Sequence, residues 1–389
     1  MNKTKIIREQ LHLPEDLVAL NAGSWGPLCK AAREAIGEGY REEAWSRGDN
    51  PDYMNSKGSG LRRYSEVLDD AREALSRFLC CTPGEVAMCD STTTGMNIFL
   101  WGINWDRGDE LITGSYENNA ALVPLAVLAR RRGVKVRTVD IQRDLPSNIQ
   151  GVLSSRTRAV LLSDVNYVDG ARVDLKAVSE VAHDAGALVL ADGIQAVGTV
   201  PVDVKKLGVD GYAMARHKFI CGPDGAGGLY VNSEVFDRVH PTFSGVFTDA
   251  AHGSGALRLV DSAQRYEVST RALPVIQGGT ASVRWLMDDV GLEYIYEKAK
   301  SLYAMLWDGL TGVDGVELIS GRRQSSLMSF RVDGVASEDV SKRLRDWKIF
   351  TRTVDVVEPS AVRVSVGFWN RETDMEKIVE AVDEIASIY

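Results

Sequence analysis

Residues 214–219 read MARHKF and place His217 directly before Lys218, ahead of the glycine-rich stretch CGPDGAGG. A lysine here is either a solvated loop residue or an amine that forms a covalent bond with a carbonyl compound. His217 can donate a hydrogen bond to a phosphate, and the glycines after it allow a tight turn close to a ligand. The choice between the two interpretations depends on the other groups that the fold brings to this lysine.

Two further stretches carry polar side chains suited to such a ligand. Thr92 and Thr93 lie in STTTGMN (91–97), where hydroxyls at a helix N-terminus suit a phosphate, although N-capping by either threonine explains them equally well. Asp192 ends the apolar run ALVLAD, where a buried carboxylate needs a cationic partner such as a protonated ring nitrogen or an arginine. The alternative is that it caps the next turn. Gln195 can face the same crevice.

Arg363 lies in AVRVSVGFWN (361–370), where it alternates with Val362 and Val364 on a predicted apolar strand. An arginine on such a strand usually has a planar anionic partner, and its guanidinium fork matches a carboxylate. The alternative is a structural salt bridge.

Taken together, these groups describe one ligand. A phosphate would bind at the threonine stretch and His217, a ring nitrogen at Asp192, an aldehyde at Lys218, and the carboxylate of a substrate at Arg363. The ligand with these parts is pyridoxal 5′-phosphate holding an amino acid, a small-molecule substrate.

Strand and helix patterns alternate between about residues 85 and 232, which predicts βαβ units and a largely parallel sheet. The predicted strands are EVAMCD, DELITGS, KVRTVDI, RAVLLSDV, ALVLAD, GYAMAR and GGLYVN. Ligands of such sheets bind beyond the carboxyl ends of the strands, and the stretches around Thr92, Asp192 and Lys218 each follow a strand.

The last hundred residues follow a different pattern, with a long helical stretch and three strands. The predicted elements are a helix from about 281 to 311, strands SLMSFRVD, IFTRTV and AVRVSVG, and helices of roughly 335–347 and 371–387. We therefore predict an α/β protein with a large domain at 14–280, built on a seven-stranded sheet between helices, and a smaller α+β domain at 281–389. Residues 1–13 can pack on either domain.

Composition excludes several other classes of protein. A net charge of −9, a pI of about 5.3 and the lack of a basic run argue against nucleic-acid and anionic-membrane binding. No apolar run is long enough to span a membrane and MNKTKIIREQ lacks a signal-peptide core, so we expect a cytoplasmic protein. Five cysteines without a CxxC pair read as reduced thiols, and five scattered histidines predict no metal site.

At these residues the sequence resembles the class V aminotransferase family of fold type I pyridoxal-phosphate enzymes. This family contains cysteine desulfurases, cysteine/cystine C–S lyases, isopenicillin N epimerase and kynureninase. The resemblance runs from LNAGSWGP at 20–27 to the final helix and is most specific in DGIQAVG, the HK pair with GPDGAGG, and VRVSVGFWN. TTTGMNIFLWGI is most similar in wording to the C–S lyases and the epimerase-like members.

The resemblance implies a role for each group at the cofactor. Lys218 would hold the cofactor covalently and act as the catalytic base, Asp192 would keep the pyridine nitrogen protonated, and Gln195 would contact the ring hydroxyl. Three residues are expected to bind the phosphate: Thr92, Thr93 and His217.

It also implies a homodimer with shared active sites. The stretch RYEVSTRALP is similar to a family segment that reaches the partner subunit's phosphate, which points to Thr270, with Arg271 able to enter across the interface. Arg363 would bind the substrate α-carboxylate. Three residues are candidate walls of the substrate pocket: Trp25, Tyr167 and Arg352.

The sequence departs from the family pattern at three places. Asn118, in SYENNAA, takes the position of a residue that stacks on the cofactor ring, and Tyr116 is a possible substitute by position. Ala215 replaces a phosphate-binding serine two residues before the HK pair, and Arg216 could compensate with its charge. Tyr167 stands where relatives often carry asparagine.

The reactions of this family share removal of the Cα proton by the active-site lysine. Cysteine desulfurases use a nucleophilic cysteine on a small-domain loop, whereas the last cysteine here is Cys221 and the connection DVVEPS (355–360) is short. We therefore predict C–S lyase β-elimination from a cysteine S-conjugate. The alternatives are an epimerase, an aminotransferase, or decarboxylation or oxidative deamination of the same type of conjugate. A cofactor-binding regulator is disfavoured because no helix-turn-helix pattern precedes residue 20.

Overall fold

The computed structural model describes residues 3–48, 59–250, 255–322 and 325–388. The helices are α1 Lys3–Gln10, α2 Lys30–Gly48, α3 Ser59–Leu79, α4 Thr92–Gly102, α5 Asn119–Arg132, α6 Leu145–Val152, α7 Leu175–Asp184, α8 Val204–Leu207, α9 Leu273–Arg284, α10 Leu292–Thr311, α11 Ser337–Asp346 and α12 Glu372–Ala386. The strands are β1 Val18–Ala19, β2 Val86–Cys89, β3 Glu110–Gly114, β4 Lys135–Val139, β5 Thr157–Ser163, β6 Leu188–Asp192, β7 Gly211–Ala215, β8 Gly227–Val231, β9 Val316–Leu318, β10 Leu327–Val332, β11 Ile349–Phe350, β12 Arg352–Val354 and β13 Ala361–Ser365.

A seven-stranded sheet forms the centre of the molecule, with strand order β2-β8-β7-β6-β5-β3-β4. Its strands pair in parallel except β8, which runs antiparallel to both neighbours. Every residue of β6, β7 and β8 is buried, because helices cover both faces, which explains why these runs are continuously apolar rather than alternating. The predicted large-domain architecture is confirmed.

A second, four-stranded antiparallel sheet of order β12-β13-β10-β9 packs against α10, α11 and α12. Its core includes Phe330, Val364 and Ile378, all fully buried. The run IFTRTV, predicted as one strand, is divided between two sheets: β11 pairs with β1, whereas β12 pairs with β13. The predicted smaller α+β unit is confirmed, with this correction to its strands.

The helical stretch predicted at about 281–311 begins earlier and is interrupted. Helix α9 starts at Leu273, continues as a π-helix over Trp285–Val290, and stops at Gly291, whose φ of +85° is a conformation that favours glycine. Helix α9 packs on α2 and α3, whereas α10 packs on α12. The predicted domain division at 280/281 therefore lies inside α9, and that division stays a prediction.

The N-terminal helix contacts both parts of the molecule. Arg8 lies 3.5 Å from the carboxylate of Asp374 on α12, while Ile7 packs into the core beside the large sheet. Val18 in β1 pairs with Ile349, so the chain crosses the small domain before it enters the large one.

Within the described residues, no helix is long and apolar enough to cross a membrane.

Candidate active site

A cavity of about 160 Å³ lies at the carboxyl ends of β5, β6 and β7, next to the N-terminus of α4. This edge of the sheet is where α/β proteins bind ligands, because the loops that follow parallel strands meet there. The lining residues come from the segments that follow five strands, β2, β3, β5, β6 and β7, and are Ser91, Thr92, Thr93, Asn118, Ala120, Ser163, Tyr167, Asp192, Ile194, Gln195, His217 and Lys218.

Lys218 lines this cavity and is no ordinary surface lysine. Burial lowers the pKa of its amine to about 8, opposed by the charge of Asp192 and reinforced by that of Arg363. The main chain at this point is fixed by Gly26, whose N–H donates to the carbonyl of His217 at 2.8 Å. A lysine with a lowered pKa is partly neutral near physiological pH and can act as a nucleophile or base.

Asp192 combines the two interpretations that the sequence allowed. Its Oδ1 accepts a hydrogen bond from the N–H of Ile194 at 3.0 Å, so it caps the following turn. Burial raises its pKa, and the Ile194 hydrogen bond and the positive charge of Lys218 oppose that shift. A buried carboxylate with only this compensation suits a further cationic ligand in the cavity.

Thr92 is available to a ligand because another residue caps the helix. Ser91, not Thr92 or Thr93, is the N-cap of α4, and its Oγ accepts from the N–H of Thr94 at 3.1 Å. The capping alternative is therefore wrong. The buried Oγ1 of Thr92 has no hydrogen-bond partner in the described structure, which leaves a donor at a helix N-terminus.

His217, which also lines the cavity, is partly buried, and burial lowers its pKa, with the Lys218 charge adding to the shift. Its Nδ1 lies 3.8 Å from the exposed carboxylate of Asp224. A neutral imidazole keeps one N–H donor, which is compatible with the predicted phosphate contact.

Arg363 reaches the cavity wall from the small domain without lining the cavity itself. Its NH1 donates to the carbonyl of Tyr167 at 2.9 Å and its NH2 to Ser24 Oγ at 3.2 Å. No ion pair holds it within the described chain, so the salt-bridge alternative has no partner there, and its buried Nε is without an acceptor. Burial and the neighbouring Arg352 lower its pKa to about 10.

Gln195 lines the cavity and also contacts the loop that holds Arg363. Its Nε2 donates at 2.9 Å to the carbonyl of Gly23, the residue before Ser24. Its buried Oε1 has no hydrogen-bond partner among the described residues. The loop at residues 23–26 thus contacts Gln195, Arg363 and the HK pair.

Asn118 lines the cavity at the predicted ring-stacking position, where it also caps α5 by accepting from the N–H of Ala120 at 2.9 Å. Tyr116, the suggested substitute, does not line the cavity. It packs instead with Tyr167 against a small cluster that contains Val354 and Ala361.

The suggestion that Arg216 compensates for Ala215 is wrong. Arg216 shares a face with Met214 because side chains alternate along β7, so it points under α9 rather than into the cavity. Its NH2 donates to the Met88 sulfur at 3.4 Å, and a Cβ on Gly279 of α9 would lie 2.7 Å from its NH1.

Four other predicted residues lie outside the cavity of this chain: Trp25, Thr270, Arg271 and Arg352. Trp25 is 67% exposed, next to the loop that contacts the HK pair. Arg352 stands opposite Arg363 on the neighbouring strand. Thr270 is exposed.

The sequence did not single out Ser163 or Glu117. Ser163 ends β5 and lines the cavity, and Glu117 lies behind it, with Ser163 N–H donating to Glu117 Oε1 at 3.0 Å. The position of Ser163 at the end of β5 was the available signal.

A larger groove, about 880 Å³, lies around Arg77 and Tyr296, but none of the predicted site residues lines it.

The residues around the smaller cavity fit pyridoxal 5′-phosphate in their chemistry. The unpartnered Thr92 Oγ1 and the α4 N-terminus suit the phosphate, the buried Asp192 suits the protonated ring nitrogen, and Lys218 suits the aldehyde. Fold and site together define a fold type I pyridoxal-phosphate enzyme.

Comparison with known proteins agrees with this class. The family model "Aminotransferase class-V" matches residues 53–378. A probable cysteine desulfurase of Methanothermobacter thermautotrophicus is 26% identical over 99% of both chains, and one of Pseudomonas aeruginosa is 30% identical over 82% of this chain and 83% of its own. The cystine C-S lyase C-DES, solved with its product cysteine persulfide, aligns with a TM-score of 0.87 at 25% identity over 96% of this chain and 98% of its own. The chain belongs to the class V aminotransferase family, and pyridoxal 5′-phosphate is its cofactor.

Proposed function

We propose that this protein is a C–S lyase that catalyses β-elimination from a cysteine S-conjugate such as cystine. The observation that carries the proposal is the convergence of Lys218, Asp192 and Tyr167 on one cavity, with Arg363 holding the Tyr167 carbonyl. Similarity to a cystine C-S lyase over nearly the whole chain supports it.

Each residue has a proposed task at a stated atom. Asp192, Thr92, Thr93 and His217 would hold the cofactor, with Gln195 and Asn118 beside its ring. The bound cofactor supplies an electron sink for negative charge that develops at Cα of the substrate. Lys218 Nζ would take the Cα proton, because its lowered pKa leaves a neutral amine available. Arg363 would orient the α-carboxylate through its guanidinium fork.

The overall reaction balances without an oxidant. The Cα–H and Cβ–S bonds break, the sulfur leaves as a thiolate that takes up a proton, and the three-carbon product adds water to give pyruvate and ammonia. For cystine, the leaving sulfur carries the second half of the molecule as cysteine persulfide, which is the product named for the C-S lyase relative.

The named relatives also include cysteine desulfurases, which makes persulfide transfer the main competing reaction. The connection between β12 and β13 is only six residues long and contains no cysteine, and the last cysteine, Cys221, is fully buried. The small domain therefore contains no cysteine that could act as the nucleophile. This favours elimination over desulfuration of free cysteine.

The test is product analysis with purified, cofactor-loaded protein. Cystine and S-alkyl cysteines should give pyruvate in equal amount to the sulfur product, whereas free cysteine should give little sulfide. The absence of pyruvate with every conjugate would refute the elimination. A racemised substrate, a cofactor converted to its amine form, or released carbon dioxide would identify epimerisation, transamination or decarboxylation instead.

A homodimer with shared active sites is part of the same proposal. The exposed Thr270 follows Ser269, whose carbonyl accepts from Tyr64 OH at 3.1 Å, and Tyr64 stacks on Phe247 beside the 62%-exposed Val246. Exposed apolar side chains beside a predicted partner contact are typical of an interface. Light scattering should give twice the 42.6 kDa chain mass. A monomer that retains full cofactor affinity would contradict shared sites.

A further inference from the structure

Glu117 is a buried carboxyl group behind the cavity, and no cationic side chain pairs with it among the described residues. Only 3% of the residue is exposed. Its Oε1 accepts from the N–H of Ser163 at 3.0 Å, and its Oε2 lies 2.5 Å from Ser163 Oγ. Ser163 lines the cavity and Glu117 does not, so the serine separates the carboxyl group from the ligand space.

Three neighbouring strands bring Glu117, Ser163 and Asp192 together. Strands β3, β5 and β6 are adjacent in the sheet; Glu117 follows β3, and Ser163 is the register partner of Asp192 at the ends of β5 and β6. Register partners on adjacent parallel strands point to the same face of the sheet, and the two strands are about 4.8 Å apart. Ser163 therefore lies between two strands' buried carboxyl groups, hydrogen-bonded to Glu117 and in register with Asp192, and the charge of Asp192 raises the cost of ionising Glu117.

The backbone leaves room for this carboxyl group. A Cβ on Gly114, at the end of β3, would lie 2.9 Å from Glu117 Oε1 and 2.6 Å from Ile141 Cγ2. A side chain at position 114 would push Glu117 away from Ser163.

We propose that Glu117 holds a proton for the candidate active site and, through the Ser163 hydroxyl, sets the charge that surrounds Asp192. This inference rests on the proposed function only in taking Asp192 as the partner of the cofactor ring. When Glu117 keeps its proton, its carboxyl O–H donates to Ser163 Oγ, the serine O–H is free to donate into the cavity, and Asp192 can ionise without a second negative charge beside it. When Glu117 ionises, the serine O–H turns back to it.

This exchange falls in a functional pH range. Burial raises the pKa of Glu117 to about 7, with the Asp192 charge adding to the shift and the Ser163 hydrogen bonds opposing it. Burial raises the pKa of Tyr167, on the cavity wall, and the charge of Glu117 adds a smaller contribution to that shift. Lys218 acts on the pair through Asp192.

The first experiment uses cofactor-free protein and needs no turnover. Infrared difference spectra should show a protonated carboxyl band that is lost as the pH rises through about 7, and that is missing from Glu117→Gln. Glu110→Gln is the matched control: Glu110 also bonds a serine, Ser154 Oγ at 2.7 Å, but pairs with Arg137, and its pKa is lowered. It should leave the band unchanged.

The second experiment follows the visible absorption of the bound cofactor against pH. Wild type should show a step near the same pH, and Glu117→Gln, whose neutral amide still donates to Ser163, should bind cofactor without the step. Ser163→Ala should keep the carboxyl band but weaken the step. A band or a step that persists in Glu117→Gln overturns the proposal, as does a wild type without either. A protein that passes both tests but releases no pyruvate refutes the elimination and leaves Glu117 in its proposed role.

Discussion

Gly26 lies directly against the main chain of Lys218. A Cβ built on Gly26 would come within 1.8 Å of the Lys218 carbonyl oxygen, a distance at which the backbone itself must move. The same loop donates a hydrogen bond from the Gly26 N–H to the His217 carbonyl. The N-terminal segment thus fixes the position of the candidate catalytic lysine from a point almost two hundred residues away in sequence.

Gly26→Ala should therefore impair the site more than the fold. We expect cofactor affinity to fall by on the order of 10-fold or more, since a shift of about 1 Å at a reacting group is costly. Gly151→Ala is the matched control, because nothing lies within 4 Å of a Cβ there and alanine is favoured in the helix. Cofactor titration by absorbance measures both. Equal affinities would show that the contact is not important.

The pKa of Lys218 gives a prediction about the rate of covalent cofactor capture. The neutral amine is the reactive form, so the rate should rise with pH and level off near pH 8 rather than near the ordinary lysine value. Asp192→Asn removes the charge that raises this pKa and should move the profile to lower pH. Lys218→Ala should abolish the absorption band of the covalently linked cofactor. An unshifted pH profile in Asp192→Asn would show that the Asp192 charge does not act on the Lys218 amine.

Arg363→Ala should act mainly on substrate binding. A charged hydrogen bond to a carboxylate contributes about 1.5–3 kcal/mol, which corresponds to an increase in KM of about 10- to 100-fold. Arg331, on the same sheet, already pairs with Glu317 at 3.1 Å, so Arg331→Ala is the control and should leave KM unchanged. A loss in kcat alone would place Arg363 in a different role.

The large sheet and the core of the site were predictable from local patterns. Runs such as ALVLAD are apolar because both faces are covered, and a polar residue at the end of such a run, Asp192, marks the ligand edge of the sheet. Lys218 could be found for the same reason. Each of these signals is local, because the polar residue and the apolar run that it follows are neighbours in the sequence.

The missed features depend on distant contacts. Glu117 reaches Ser163 because β3 and β5 are neighbours in the sheet. No local stretch of sequence reveals which strands pair. Ile349 and Phe350 do not belong to the four-stranded sheet, because they pair with Val18 and Ala19, which lie over three hundred residues earlier in the sequence. The charge of Arg216 suits a phosphate ligand, but the alternation of side chains along β7 directs it away from the cavity.

The buried pair of Arg72 and Glu267 should be important for stability. Glu267 accepts from Nε and NH2 of Arg72 and, at 2.8 Å, from the N–H of Met88 in β2, the strand that leads to the threonine stretch. Without Glu267, Arg72 keeps only the exposed Asp69 as an ionic partner and the Met88 N–H loses its acceptor, so Glu267→Ala should lower the free energy of unfolding by about 3–5 kcal/mol.

The exposed pair of Arg77 and Asp288, 3.2 Å apart, is the control for that measurement. Both side chains are about half exposed, and Asp288→Asn should change the free energy of unfolding by about 0–1 kcal/mol. Urea unfolding of the two variants under one set of conditions gives the comparison. Similar effects for both would mean that the Glu267 hydrogen bonds add nothing.

The raised pKa of Glu117 predicts a pH-dependent stability difference between wild type and Glu117→Gln. The carboxyl group has a pKa of about 7 in the folded chain against 4.5 as its ordinary value, so the folded state binds the extra proton between these two values. Wild-type stability from this group is therefore complete below about pH 4.5, falls as the pH rises, and stays low above about pH 7.

Glutamine does not titrate, so the variant avoids this loss. Its unfolding free energy relative to wild type should improve by up to about 3 kcal/mol between pH 5 and pH 8, while the titration of Asp192, present in both proteins, largely cancels. Urea unfolding across this range measures the difference. A difference that does not change with pH would mean that Glu117 is ionised throughout, because only a group that takes up a proton on folding makes stability fall with rising pH.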